Sequence, residues 1–160
     1  MGKFLIKAIT FIFIFLPFLF FLPADISAAD NPPLEFISQV PGNVYDVDVE
    51  GDFAYMATPN SEFKIVDVTD PVNPIVRGTF SYPDCFFTAI DVVETLGYVT
   101  QTSIWCSPKG TLHVFDVSSP DSPTEIGRTS IVTRVGGSQE MMVAGNYSYI
   151  ANANGGLIIS

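Results

Sequence analysis

Apolar and polar residues alternate with the period of a β-strand through most of the chain after residue 30, and the strands so marked recur in one order. Val44, Val47 and Val49 sit among Asp46, Asp48 and Glu50, which puts valines on one face and acids on the other. A Gly51-Asp52 turn leads to a second strand over 53–57, a third over 63–68 and a fourth over 74–81. The fourth opens on Pro74, and proline is tolerated at a strand's first position. The same succession is predicted at 89–93, 97–101, 111–117 and 123–129, and a third begins at 141 and reaches its third strand at 156–160. No stretch after residue 30 carries a helical period. A unit of this length cannot bury its apolar face alone, so the repeat predicts sheets stacked side by side.

Particular residues recur at fixed places in these units. Tyr55, Tyr98 and Tyr149 occupy the second strands, and the third strands Phe63-Lys-Ile-Val-Asp67 and Leu112-His-Val-Phe-Asp116 both end in an aspartate. Asp70-Pro-Val-Asn-Pro74 follows the first, and Ser119-Pro-Asp-Ser-Pro123 keeps both prolines after the second. These elements resemble the LVIVD-repeat family, a group of extracytoplasmic, β-propeller-like proteins. The resemblance covers about residues 34 to 160, and it implies four-stranded antiparallel blades. It implies a scaffold and no particular activity, because fold does not fix function. Tyr55 and Tyr98 are 43 residues apart and Tyr98 and Tyr149 are 51 apart, near the roughly 40–45 residues of a four-stranded blade. Most of the excess lies in the loop 100–110, which carries Trp105, Cys106, Pro108 and Lys109.

The expected fold class is therefore all-β, a propeller-type repeat of about three blade-equivalents and incomplete. The expected organisation is a signal peptide over 1–29, an outer strand and linker over 30–43, repeats over 44–87 and 88–139, and a partial repeat over 140–160. Pro33 to Val40 is similar to Pro74–Ser81 and Pro123–Thr129, so it reads as a fourth strand able to complete the last sheet. Propellers typically use four to eight blades. The chain is thus expected to be a piece of a longer propeller, with self-association into a ring as the alternative.

The N-terminus changes the compartment. Lys3 and Lys7 precede an apolar run from Ala8 to Leu22 and a small-residue end, Ser27-Ala-Ala29, the three regions of a secretory signal. Cleavage is expected after Ala29. The alternative is an uncleaved anchor, since Phe4 to Ala24 is about long enough to cross a bilayer. Either places the repeats outside the membrane, with membrane contact only through this segment. Losing residues 1–29 removes Lys3, Lys7 and Asp25 and moves the net charge from −10 to −11. Such a chain repels phosphate backbones, so nucleic acid is an unfavoured partner. Export also allows a disulfide between Cys85 and Cys106, closing a loop worth about 3 kcal/mol in the chain-entropy model. Two cysteines are too few ligands for a metal site of their own.

Candidate chemistry is sparse. Asp46-x-Asp48-x-Glu50-Gly51 imitates the opening of a calcium loop, but the required twelfth-position acid is Ala57, and the alternating valines mark a strand. Asp67 and Asp116 are expected to accept backbone N–H bonds in the turns after their strands, and Asp48 and Asp91, at matched positions, to bond neighbouring backbone. The three tyrosines are expected to pack between blades. His113 is the only histidine and lies inside a strand; no Ser-His-Asp arrangement or Gly-x-Ser-x-Gly supports it. Glu35 and Glu125 occupy similar outer-strand positions. Asn146-Tyr-Ser148 matches the N-glycosylation triplet. Phe86 and Phe87 beside Cys85, with Trp105 and Lys109 in the long loop, form the expected binding surface, because loops on a rigid scaffold carry function.

The expected function is non-catalytic binding of a protein, a glycan or a small ligand, with no cofactor, no metal and no catalytic residues. The rivals are a fragment of a propeller hydrolase or oxidoreductase, and a structural cell-surface spacer.

Overall fold

In a computed structural model, the structure describes residues 34–60, 62–83, 85–102, 110–131, 138–153 and 155–160. These fall in two units, Met1–Glu35 and Phe36–Ser160. Of the first only Leu34 and Glu35 are described, both exposed and in no strand; every described strand belongs to the second. The expected signal segment, Trp105, Cys106 and Lys109 lie outside the described residues.

The described residues are all-β, in three antiparallel sheets of four, four and three strands. The first holds β1 (Asp46–Glu50), β2 (Phe53–Ala57), β3 (Glu62–Asp67) and β4 (Ile75–Ser81) in chain order. The second holds β5 (Phe86–Val93), β6 (Leu96–Thr102), β7 (Gly110–Asp116) and β8 (Thr124–Ser130), and the third β9 (Ser138–Ala144), β10 (Tyr147–Asn152) and β11 (Gly156–Ile159). Each is a meander. Tight turns join the first two strands of each, with Gly51 at φ 59° and Gly145 at φ 61° in the left-handed region where a Cβ is penalised. The sheets stand side by side through their first strands, β1 beside β5 and β5 beside β9, and the described strands do not close into a ring.

The strands sort their faces by the pleat. Tyr55, Ala57, Phe63 and Ile65 of the first sheet meet Phe87, Ile90, Val92, Val99, Phe115 and Val117 of the second in one buried cluster. Ala89, Leu112 and Ile131 of the second pack with Met141 and Ile150 of the third in another, flanked by Tyr98 and Ile158. The apolar cores therefore lie between sheets, where each covers the face its neighbour cannot bury alone.

Two expectations are corrected. Residues 34–45 contain no strand, and Leu34, Phe36 and Ile37 are 104%, 83% and 55% exposed. A strand needs a partner, and among the described residues neither edge strand of the third sheet, β9 or β11, is paired with this segment, so it does not complete that sheet. Phe86 and Phe87 also lie in strand β5, opposite Thr102 and Gln101 of β6, and not in a loop.

Candidate functional site

The first strands settle a question that alternation leaves open, namely which face turns inward. In β1 the valines face away from the second sheet: Val47 is 54% and Val49 57% exposed. The acids face it. Asp48 Oδ2 accepts the N–H of Val92 at 2.7 Å and its Oδ1 accepts that of Val49 at 2.8 Å. Asp46 does the same with Ile90 at 2.9 Å and Val47 at 2.9 Å. Asp91, one repeat later, accepts the N–H of Val143 in β9. Each carboxylate thus ties its own strand to the first strand of the next sheet, with charge-assisted bonds. The matched residues are Ala89 and Asp91 in the second repeat and Glu140 and Met142 in the third.

Asp48→Ala is expected to cost about 2–3 kcal/mol, because the Val92 N–H would stay between sheets without its acceptor. Urea unfolding of the variant measures this; a loss under about 0.5 kcal/mol would mean that water replaces the carboxylate.

The turns after the third strands lock the sheets from outside. Asp67 Oδ1 accepts the Thr69 N–H at 3.1 Å and hydroxyl at 2.7 Å, and Asp116 Oδ1 accepts the Ser118 N–H at 2.9 Å. Arg77 of β4 donates to both oxygens of Asp121 in the second Pro-turn, at 2.8 and 3.0 Å, and to Asp67 at 3.1 Å. Beside it Gly78 lies so close to that turn that a Cβ would stand 2.1 Å from the Pro120 carbonyl oxygen.

These acids respond to pH in opposite senses. The hydrogen bonds from Thr69, Asn73, Ser118 and Arg77 hold Asp67, Asp70, Asp116 and Asp121 below the usual carboxylate range. Burial pushes Asp91 up, helped by the charges of Asp48 and Asp46 and opposed by the Val143 N–H. The folded state binds fewer protons than the unfolded at the turns, so their stabilisation is present above the ordinary carboxylate value and is lost as pH falls through the lowered values. At Asp91 the folded state holds the proton longer, so stability falls as pH rises through the raised value. The melting temperature of the parent relative to Asp91→Asn should therefore rise as pH is lowered from neutral to the ordinary carboxylate range. A difference that stays flat with pH would refute this.

His113 sits at the centre of a polar cluster that the sequence does not announce. It is fully buried. Its Nδ1 lies 2.9 Å from Glu125 Oε1 in β8, and its Nε2 meets the side-chain amide of Gln101 in β6. Tyr82, Phe87 and Phe115 box the ring at centroid distances of 5.5, 5.6 and 6.1 Å. Arg128 reaches the cluster from the rim, 3.9 Å from Glu125 and donating to the Tyr82 hydroxyl at 2.6 Å. Burial lowers the imidazole pKa, against the hydrogen bond and charge of Glu125. A histidine–carboxylate pair is acid–base apparatus only where a substrate can touch it; this one joins three strands. The signal was the pairing of β6, β7 and β8, which sequence spacing alone does not display.

The remaining candidates separate. Phe87 is a correction: its ring is fully buried against His113 and Phe115, so it lines no binding surface. Phe86 is 39% exposed, and Cys85 beside it is buried and disulfide-bonded. Tyr55 is core, 4% exposed and stacked on Phe63 at 6.3 Å, and burial raises its phenol pKa, with help from Glu50 and Asp48. Tyr98 and Tyr149 are half-buried. Among the described residues no group of three His, Cys, Asp or Glu side chains could hold a metal. Tyr98, Leu112, Val143, Tyr147, Ser148 and Ser160 line a cavity of about 300 Å³ between the second and third sheets.

The LVIVD repeat family model matches residues 41–81, 108–130 and 135–159. No curated protein matches the chain.

Proposed function

This chain belongs to the LVIVD-repeat family, and on that premise we propose that it is an exported, non-catalytic scaffold whose loops bind a protein, a glycan or a small ligand. The observation that carries the reading is Cys85. It is buried and disulfide-bonded, and it directly precedes exposed Phe86. A disulfide suits an oxidising compartment outside the cytosol, which agrees with the signal-like N-terminus. It also fixes the base from which Phe86 projects, and a rigid aromatic is the kind of anchor that dominates binding surfaces. Sequestration of His113 leaves the only histidine for packing, which supports binding over catalysis.

The test is retention of extracellular proteins and soluble glycans on the immobilised exported chain, set against a Phe86→Ala/Trp105→Ala variant. The expected result is a retained species that the variant loses while melting at the parent temperature. Equal retention by both would remove Phe86 and Trp105 from the proposal. Turnover of a hydrolase or redox substrate by the parent would replace binding with catalysis.

A further inference from the structure

The groups around His113 come from four other stretches of the chain. Glu125 of β8 stands 2.9 Å from Nδ1, and Gln101 of β6 meets Nε2. Tyr82, which follows β4 of the first sheet, meets the imidazole edge to face. Phe87 of β5, and Phe115 of β7 itself, close the box and carry no charge. Among the described residues the titratable and charged groups facing the ring are therefore Glu125 and Arg128, both on β8, and Tyr82.

Strand β8 has little besides its ladder to hold it. Every residue in it but Glu125 is exposed, and its pairing with β7 shifts register between Val114 and Phe115. Few buried apolar contacts mark a segment that opens before the rest of a fold. Yet β8 ties the first two sheets together at both ends. Arg128 donates to the Tyr82 hydroxyl at 2.6 Å, with its guanidinium 5.8 Å from the centre of that ring. The turn leading into β8 carries Asp121, whose two oxygens accept from Arg77 of β4.

We propose that His113 works an acid-operated clasp: proton uptake by its ring releases β8, and with it the Tyr82 and Arg77 ties to the first sheet. Protonation need not break the ring's hydrogen bonds. An amide offers either its oxygen or its nitrogen, so Gln101 serves the ring in both states, and the Glu125 carboxylate accepts from a protonated Nδ1. What changes is charge. A cation enclosed by Tyr82, Phe87 and Phe115 carries a desolvation cost, and the one carboxylate beside it is shared with Arg128. Water is nearest at β8, where the Arg128 side chain is 54% exposed, so opening there removes the cost with the least loss of packing. Burial holds the ring below the ordinary histidine range; Glu125 opposes this and the charge of Arg128 adds to it. The closed state thus binds fewer protons than the open one. The clasp is secure above the ordinary histidine range and weakens as pH falls through it toward the lowered value. The device needs no ligand and involves neither Phe86 nor Trp105, so it stands or falls separately from the loop surface above.

The test uses the exported chain without a histidine tag, whose single imidazole gives one ring-proton titration by NMR. Amide exchange of β8, corrected for its intrinsic pH dependence, is followed beside that of β3 as the reference. As pH falls from neutral into the His113 titration, opening of β8 should rise by up to about tenfold per pH unit, the limit for uptake of one proton, while β3 stays unchanged. Glu125→Gln removes the charge that favours the cation and should move the response to lower pH. Arg128→Gln removes the charge that opposes it and should move the response to higher pH. Circular dichroism at neutral pH checks that both variants fold, and the parent measurement decides without them. Exchange of β8 that stays flat through the titration, an equal rise in β3, or variant shifts of the same sign would overturn the proposal.

Discussion

Phe115→Ala is expected to lower the unfolding free energy by about 3–5 kcal/mol. Phe115, on β7 of the second sheet, is fully buried in the cluster that the first two sheets share. Its ring stacks on Phe63 of the first sheet at 5.1 Å and takes the edge of Phe80 at 4.8 Å, while Phe87 of its own sheet stands perpendicular to it at 6.4 Å. Truncation removes a large apolar surface and leaves a cavity that three aromatic rings on paired strands cannot collapse to fill. Urea unfolding followed by circular dichroism measures the loss. A shift below about 1 kcal/mol would mean that the first two sheets do not share a core. Tyr55→Ala should approach the same cost. Tyr98, half-buried, should lose less, because exposed ring area gains nothing from folding.

Gly78→Val is expected to cost about 3 kcal/mol, the upper end of what overpacking brings. The atoms that a side chain would strike are the Pro120 carbonyl oxygen at 2.1 Å and the Pro123 ring at 2.8 Å. Neither is the end of a flexible chain, and Arg77 holds the same turn through Asp121. The turn must lift from the first sheet or β4 must leave β3. Gly127→Ala provides the control: it occupies the matching position in open space and should change stability by less than about 0.5 kcal/mol, as surface substitutions do. Equal effects at the two glycines would show that the second Pro-turn does not rest on the first sheet.

The strands were legible because alternation has a period of two and needs only near neighbours to be read. β6, β7 and β8 come within a residue or two of the expected bounds, since turns and prolines punctuate them. The segment Pro33–Val40 shows the limit of that reading. Its pattern is that of an outer strand, yet strand formation also requires a partner edge, and pattern carries no information about partners. Phe87 shows the same limit from the other side. A cysteine and a proline nearby suggested a loop, and burial beneath a histidine on β7 decided otherwise. The Gln101–His113–Glu125 cluster lay in three separate stretches of sequence and became a cluster only through the β6–β7–β8 register.

The sequence by itself determined the all-β class, the blade-like repeat, its family, and the places of the recurring tyrosines and turn aspartates, because these depend on periodicity and local turn chemistry. Only the tertiary structure decided that Asp46, Asp48 and Asp91 face the next sheet while their flanking valines at 47 and 49 turn outward. Alternation divides a strand into two faces, and which face is inward depends on whether the neighbour offers apolar surface or unpaired N–H groups. Here the neighbouring first strand offers N–H groups, so the carboxylates face it.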